Sequence, residues 1–490
     1  MNKPDIFVFM SDQHAPQFMG NAEIDVDTPN LDCLKRDGTV FDNAYTPCPL
    51  CVPARMAMMS GLRPAKTGIF TNVNTLSSTI PTFVHYLAAD GYETVLAGRM
   101  HFLGTDQRHG FTKRIAPDMT LVTWKRPEHI KKERGVYART FAGKWSTEVV
   151  GGGESPVLLY DEMVVDAAME YLKKPHEKPQ FIVVGTYGPH FPYVAPKELF
   201  QKYWDRVEAS PLYNTVTDAM NECLLERRVK ASPEVAKGVR SAYCGMVERM
   251  DEQIGKVREA FEEFTRKRKT QKIFCYISDH GDQTGERDLY GKETFYEKSS
   301  RIPMIFAGDG IVKNHCVKAP VSLLDFGATM CDLAQTALKP KTDGVSLKED
   351  LEGGGGAGDR IVLSEFMEKK AGDYHYGLML RQKKYKFVTY RGFEKDDQLF
   401  DVEEDPLETK NLSEDFPEIL DDFRRKALEI SPHVELYEEN QRQQDEDAKL
   451  FIAYEEAVGL NEEERWRENP VYARKNPEIC IAGLPVREEG

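Results

Sequence analysis

Four short apolar runs punctuate the chain, and each breaks off in polar residues able to do chemistry. Ile6 to Met10 ends at Ser11-Asp12-Gln13, and Thr94 to Ala97 ends at Gly98-Arg99-Met100-His101. Phe181 to Val184 runs into Gly185-Thr186-Tyr187-Gly188-Pro189-His190, and Ile273 to Ile277 into Ser278-Asp279-His280-Gly281. Unbroken apolar runs of this length, separated by helical stretches, predict strands of a largely parallel sheet buried on both faces. Open α/β sheets place ligands beyond the carboxyl ends of their strands. The four clusters are therefore expected along one edge of one sheet.

Between the runs the pattern turns helical. Thr82 to Asp90 stops at Gly91, a normal C-terminal glycine. Asp161 to Lys174 and roughly Val235 to Phe264 read as amphipathic helices. Residues 105–158 and 197–232 are less regular and are expected to form insertions over the site. Gly151-Gly152-Gly153 and Gly353 to Gly356 read as surface linkers, because neither follows a strand and opens a helix as a phosphate loop must. After about residue 365 the texture changes. Tyr376 to Arg381 and Tyr385 to Tyr390 alternate like antiparallel strands. The chain is expected to divide into residues 1–365, an α/β catalytic domain, and 366–490, a smaller α+β subdomain with an acidic tail.

Composition narrows the partners. With 490 residues, 41% hydrophobic and 30% charged, this is a globular chain with room for a large core. A net charge of −15 argues against nucleic acid, and no apolar run is long enough to span a bilayer. Residues 1–10 lead straight into a strand with no signal-peptide pattern, and the nine cysteines are scattered and odd in number. A reducing, cytoplasmic setting is expected. Any anion site must be locally positive against the bulk charge.

The stretch Cys51-Val52-Pro53-Ala54-Arg55, continuing to Ser60-Gly61-Leu62-Arg63-Pro64, supplies such a centre. Proline is tolerated in a first helical turn, so Cys51 is expected at a helix start with Arg55 one turn on, sharing its face. The unpaired N–H groups of that terminus favour an oxyanion. Cys48 and Cys51 also form a C-x-x-C, the spacing of a thiol redox pair or half a zinc site. No second such pair occurs, which argues against zinc, and a redox pair would not require Pro53, Arg55 or the Gly61 run. Asp12 and Asp279, each following a strand, are the best hard-oxygen ligands for a divalent ion.

The C-x-P-x-R core and its downstream Ser-Gly and Gly-x-Arg pattern resemble the type I, formylglycine-dependent sulfatases of the alkaline phosphatase superfamily. That resemblance implies an alkaline-phosphatase-like α/β sandwich with a central, mostly parallel sheet and a small C-terminal α+β subdomain. The segment Gln398 to Asn411 is similar to the family's C-terminal pattern. The resemblance further implies that a maturase oxidises Cys51 to formylglycine, and that Gln13 and His280 complete the metal set with Asp12 and Asp279. Many members carry Asp and Asn at those two places, so Mn²⁺ and Mg²⁺ stand beside Ca²⁺. Gly98 to Gly104 resembles a G-K-x-H-x-x-G segment with Arg99 in place of lysine, and Met100 to Phe111 is similar to choline sulfatases. By the same resemblance His101 supports the reactive hydroxyl, and His190 protonates the leaving group. Arg55, Arg99 and Lys292 bind sulfate oxygens, and Asn72 contacts substrate.

The expected reaction is hydrolysis of a small-molecule or carbohydrate sulfate ester, in an enzyme that could form a homo-oligomer. Phosphonate monoester or phosphodiester hydrolysis on the same scaffold is the nearest alternative. Arg99 argues against it, because those relatives tend to carry a small polar residue there. A non-catalytic binding protein or a thiol redox module is the remote one.

Overall fold

The computed structural model describes residues 3–120, 124, 146–217, 220–337, 339–355, 358–458 and 477–483. Eight strands form the main sheet: β1 (Asp5–Asp12), β2 (Gly38–Phe41), β3 (Glu93–Gly98), β4 (Lys113–Ala116), β5 (Gln180–Pro189), β6 (Lys272–Ser278), β7 (Met304–Gly308) and β8 (His315–Val317). Their order across the sheet is β8-β2-β7-β6-β1-β5-β3-β4. The four central strands β6, β1, β5 and β3 run parallel. They are the four apolar runs of the sequence. Only β7 runs against its neighbours.

Side chains of these strands alternate between two cores. Phe7, Phe9, Val95, Ala97, Ile182, Val184, Phe274 and Tyr276 pack on one face, beneath helices α3 (Pro156–Leu172) and α4 (Pro233–Arg268). Ile6, Val8, Met10, Leu96, Phe181, Val183, Ile273 and Ile277 pack on the other, against α1 (Cys51–Ser60), α2 (Phe83–Ala89) and α5 (Asp325–Leu333). Burial on both faces is why these strands show no polar alternation. The register then aligns the chemistry. Ser11 pairs with Ser278 and Gly98 with Gly185, so Asp12, Asp279 and Arg99 leave the sheet at one level.

One sequence expectation is overturned. Residues 150–152 form a buried strand, parallel to Tyr193–Ala195 and antiparallel to Ile479–Ala482. A Cβ on Gly151 would lie 1.7 Å from the Ile479 carbonyl oxygen, so the glycine answers to a neighbouring backbone rather than to flexibility. This strand also explains part of the tail, since residues 479–482 return to it across the domain. Much of the expected insertion at 105–158 lies outside the described residues, as do 459–476 and 484–490.

A second, antiparallel sheet follows, β9 (Val362–Lys370), β10 (Asp373–Gln382), β11 (Tyr385–Tyr390) and β12 (Gln398–Asp401), in that order. Helices α6 (Pro417–Ile430) and α7 (Val434–Val458) pack on it. Buried Lys386 on β11 ties this layer to the main domain, donating to the Phe295 carbonyl at 2.6 Å and to Glu297 at 3.0 Å.

Candidate active site

Helix α1 begins at Cys51, and all ten of its residues are buried. The N-cap Leu50 has no side-chain acceptor to offer, so the cap comes from a distant loop. Asn72 Oδ1 accepts the Val52 N–H at 3.0 Å. Pro53 in the same turn has no N–H to satisfy, and Gly61 closes the helix in the left-handed conformation. Asn72, expected as a substrate contact, thus has a structural task at the mouth of this helix.

Beside Cys51 stand the groups from the strand ends. Its Sγ lies 3.2 Å from His280 Nε2 and 3.9 Å from Asp12 Oδ1, and the thiol also meets His101 and His190. Burial pushes the thiol up, but Lys292 and His280, with hydrogen bonds from His101 and His190, together outweigh it and hold Cys51 well below the usual thiol range. Cys48 differs. Burial and the nearby Glu365 and Glu293 carboxylates push its thiol well up, and the two sulfurs are not bonded.

Two fully buried arginines clamp the carboxylates. Arg55 donates from Nε to Asp279 Oδ2 at 2.8 Å and from Nη2 to Asp12 Oδ2 at 3.0 Å. Arg99 donates from Nε to Asp12 Oδ2 at 2.6 Å and stacks 4.1 Å above the Tyr187 ring. Its Nη1 makes no hydrogen bond and lies 3.9 Å from Asp118. Burial opposes ionisation of Asp12, yet Arg99, with His190 and Arg55, holds its carboxyl below the carboxylate range. Gln13 and His101 both sit at positive φ, 70° and 60°, strain that persists where the surrounding structure enforces it.

Lys292 faces this group across the site. Its Nζ donates to Gln13 Oε1 and to His190 Nε2, both at 2.6 Å. His190 Nδ1 lies 2.8 Å from the Phe191 carbonyl, so Nδ1 carries the proton and Nε2 accepts from the ammonium. Burial and then Lys292 push His190 down to about 4, so the imidazole is neutral here.

The family model described as "Sulfatase" matches residues 4–336, and that described as "N-sulphoglucosamine sulphohydrolase, C-terminal" matches 285–430. A choline-sulfatase of Rhizobium meliloti (strain 1021) is 32% identical over 84% of this chain and 83% of its own length. This chain belongs to the sulfatase family. Among solved structures, the phosphonate monoester hydrolase of Agrobacterium radiobacter superposes with a TM-score of 0.70, covering 88% of this chain and 96% of its own at 19% identity. A structure in complex with its substrate D-glucosamine-2-N,6-O-disulfate superposes at 0.67, covering 91% and 99% at 20% identity. At those identities the neighbours establish the shared fold.

This sulfatase is a sulfuric ester hydrolase, and its site suits a divalent cation. One ligand atom each from Asp12, Cys51, Asp279 and His280 lies within 4.8 Å of the others, all buried. His280 Nδ1 sits 3.1 Å from the Gly281 carbonyl, which leaves the Nε2 lone pair facing the cluster. The two carboxylates and the Gln13 amide oxygen are hard donors, and the imidazole is a borderline one. Every candidate from the sequence joins this one site. Sequence reasoning missed the groups behind it. Asp118 Oδ2 accepts the His101 N–H at 2.9 Å, Tyr243 donates to the Gln13 carbonyl at 2.5 Å, and Asp282 holds the Gln13 side chain. Only Asp282 left a trace in the sequence, as the second aspartate of Asp279-His280-Gly281-Asp282.

Proposed function

We propose that this sulfatase hydrolyses a small-molecule or carbohydrate sulfate ester with formylglycine made from Cys51 by a maturase. The observation that carries the reading is the position of Cys51. It heads a fully buried helix, 3.2 Å from His280, and faces Arg55, Arg99 and Lys292. Oxidised to formylglycine, the residue would supply a hydrated aldehyde, one hydroxyl to attack sulfur and one to release sulfate, which a thiol cannot provide. Asp12, Gln13, Asp279 and His280 would hold Ca²⁺, Mn²⁺ or Mg²⁺, whose chemistry is to lower a hydroxyl pKa and neutralise charge.

The remaining work falls to residues of this chain. Arg55 fixes Asp12 and Asp279, and Arg99 fixes Asp12, which preorganises the site before substrate arrives. The Nη1 group of Arg99 has a hydrogen bond to give to a sulfate oxygen. Lys292 and His190 act as one unit on the leaving side. The neutral imidazole accepts from the ammonium, so a proton for the departing alcohol lies along the Lys292–His190 hydrogen bond. Arg99 should favour sulfate over a diester-like substrate, because with Arg55 and Lys292 it offers a third cation to three free oxygens, of which a diester has fewer.

Intact-protein mass from hosts with and without a maturase tests the modification, and the expected difference is that between a thiol side chain and an aldehyde at Cys51. Cys51→Ala should abolish turnover of an aryl sulfate while leaving the thermal midpoint within a few degrees. Full turnover by that variant would sink the reading.

A further inference from the structure

Asp282 is fully buried and surrounded by donors. Its Oδ1 accepts the N–H groups of Thr284 at 2.8 Å and Gly291 at 3.0 Å. Its Oδ2 accepts from Tyr193 at 2.8 Å and from Gln13 Nε2 at 2.5 Å. No part of the mechanism above uses it. Gln13 is an amide with two chemically different ends, and nothing intrinsic decides which end faces the site. Around Gln13 the backbone is already fixed, its N–H on Asp279 at 3.1 Å and its carbonyl on Tyr243 at 2.5 Å. Only the amide's orientation is left to set.

We propose that Asp282 is a positioning residue: by taking the Gln13 N–H it forces the amide oxygen toward Lys292 and the metal seat. Two outcomes follow from the geometry. With the Gln13 NH₂ held on Asp282, Gln13 Oε1 accepts from the Lys292 ammonium, as seen at 2.6 Å. With the amide reversed, an NH₂ group would confront both the ammonium and a bound cation, which repels each. The two Oδ1 partners are backbone N–H groups in the segment leading to Lys292, so the same carboxylate holds the lysine's loop and the amide it contacts. A neutral amide at position 13 is thereby coupled to a carboxylate behind it.

This inference rests on the metal seat and Lys292 role of the functional reading, so its test separates the two. In Asp282→Asn the amide oxygen is retained by the two backbone N–H groups, leaving its NH₂ against the Gln13 NH₂. Gln13 must then reverse. Adding Gln13→Glu to that variant restores a donor–acceptor pair and returns an oxygen to Lys292. The four proteins, wild type, D282N, Q13E and D282N/Q13E, are compared by Mn²⁺ titration calorimetry, aryl sulfate kcat/KM and thermal midpoint. D282N should lose about 10–100-fold in Mn²⁺ affinity, the usual scale for removing a partner of a metal ligand. The double variant should recover most of that loss and a higher midpoint than D282N. A role in packing alone predicts that the second substitution lowers the midpoint further, whatever an added carboxylate does for Mn²⁺ affinity.

A double variant no more stable and no tighter for Mn²⁺ than D282N overturns the proposal, as does a D282N protein that matches wild type. The midpoints need neither metal nor turnover. Recovery of the midpoint in a series whose wild type neither binds Mn²⁺ nor cleaves sulfate would sink the functional reading and leave the orientation standing. A wild type that does both, in a series without recovery, would sink the orientation alone.

Discussion

Replacing Arg55 with methionine removes one guanidinium from between two buried carboxylates, and the structure says which of them suffers. Asp12 retains Arg99 at 2.6 Å. Among the described residues, Asp279 loses the only donor on its Oδ2 closer than the His280 imidazole, which lies 3.7 Å away. Its Oδ1 keeps the N–H groups of Gln13 at 3.1 Å and His280 at 3.0 Å. Breaking a buried ion pair from one side typically costs about 3–5 kcal/mol, because the remaining charge stays desolvated. At about 2.1 cal/mol/K of unfolding entropy per residue, a chain of 490 residues changes by about 1 kcal/mol per degree. The thermal midpoint of Arg55→Met in chelator should therefore fall by about 3–5 °C. The variant's site is also one unit more negative, so a divalent ion should bind it more tightly and narrow the gap, by about 1.4 kcal/mol for each tenfold difference in Kd at a saturating ion concentration. Scanning calorimetry with chelator and with excess Mn²⁺ measures both. A fall of less than about 1 °C, or a gap the ion leaves unchanged, would refute the argument that Arg55 and a cation serve the same carboxylates.

Arg99→Thr should lower kcat/KM on an aryl sulfate by about 10–100-fold, from one charge-assisted hydrogen bond of about 1.5–3 kcal/mol, and raise the relative rate on a matched phosphonate monoester. An unchanged ratio of the two substrates would show that Arg99 does not select between them. Glu408 gives a pH prediction far from the site. Burial, with Lys386 opposing and Glu297 adding, pushes its carboxyl up to about 7, against about 4.3 for a free glutamate. Such a group's contribution to stability is complete at acidic pH and is lost as pH rises through about 7. The wild-type midpoint should fall more steeply between about pH 5 and 7 than that of Glu408→Gln, and parallel slopes would show the carboxyl already ionised.

What the sequence made legible was whatever a local pattern could carry. Four apolar runs with reactive ends became four adjacent parallel strands, because burial on both faces leaves a signature no other element of that length shows. Cys51 was readable as a helix start because Pro53 and Arg55 mark it. Residues whose role depends on a distant partner were not readable. Asn72 looked like a loop amide facing substrate, while the structure turns its oxygen to the Val52 N–H twenty residues back. Gly151 looked like a linker, because the Ile479 backbone that requires a glycine arrives more than three hundred residues later. The neutral state of His190 follows from burial and then from its contact with Lys292, which motif matching places in the site but not against the imidazole.

Net charge proved the least instructive number, and the structure shows why. The chain's charge of −15 would repel an anion over distances comparable with the Debye length, about 8 Å at physiological salt. Salt screens exposed charge, whereas Arg55 and Arg99 are wholly buried and act at hydrogen-bond range, where screening is weak. Within that volume Arg55, Arg99 and Lys292 face Asp12 and Asp279, with Asp118 and Asp282 behind them, so buried carboxylates match the cations before any divalent ion is added. An ion held there makes the site a strong local well for a singly charged sulfate ester inside a molecule that is negative as a whole. On-rate should therefore rise with ionic strength, as salt weakens the outer repulsion more than the inner attraction, while affinity for the bound sulfate group changes little. An on-rate that falls steeply with salt would mean that substrate is steered by exposed cations rather than by the buried clamp.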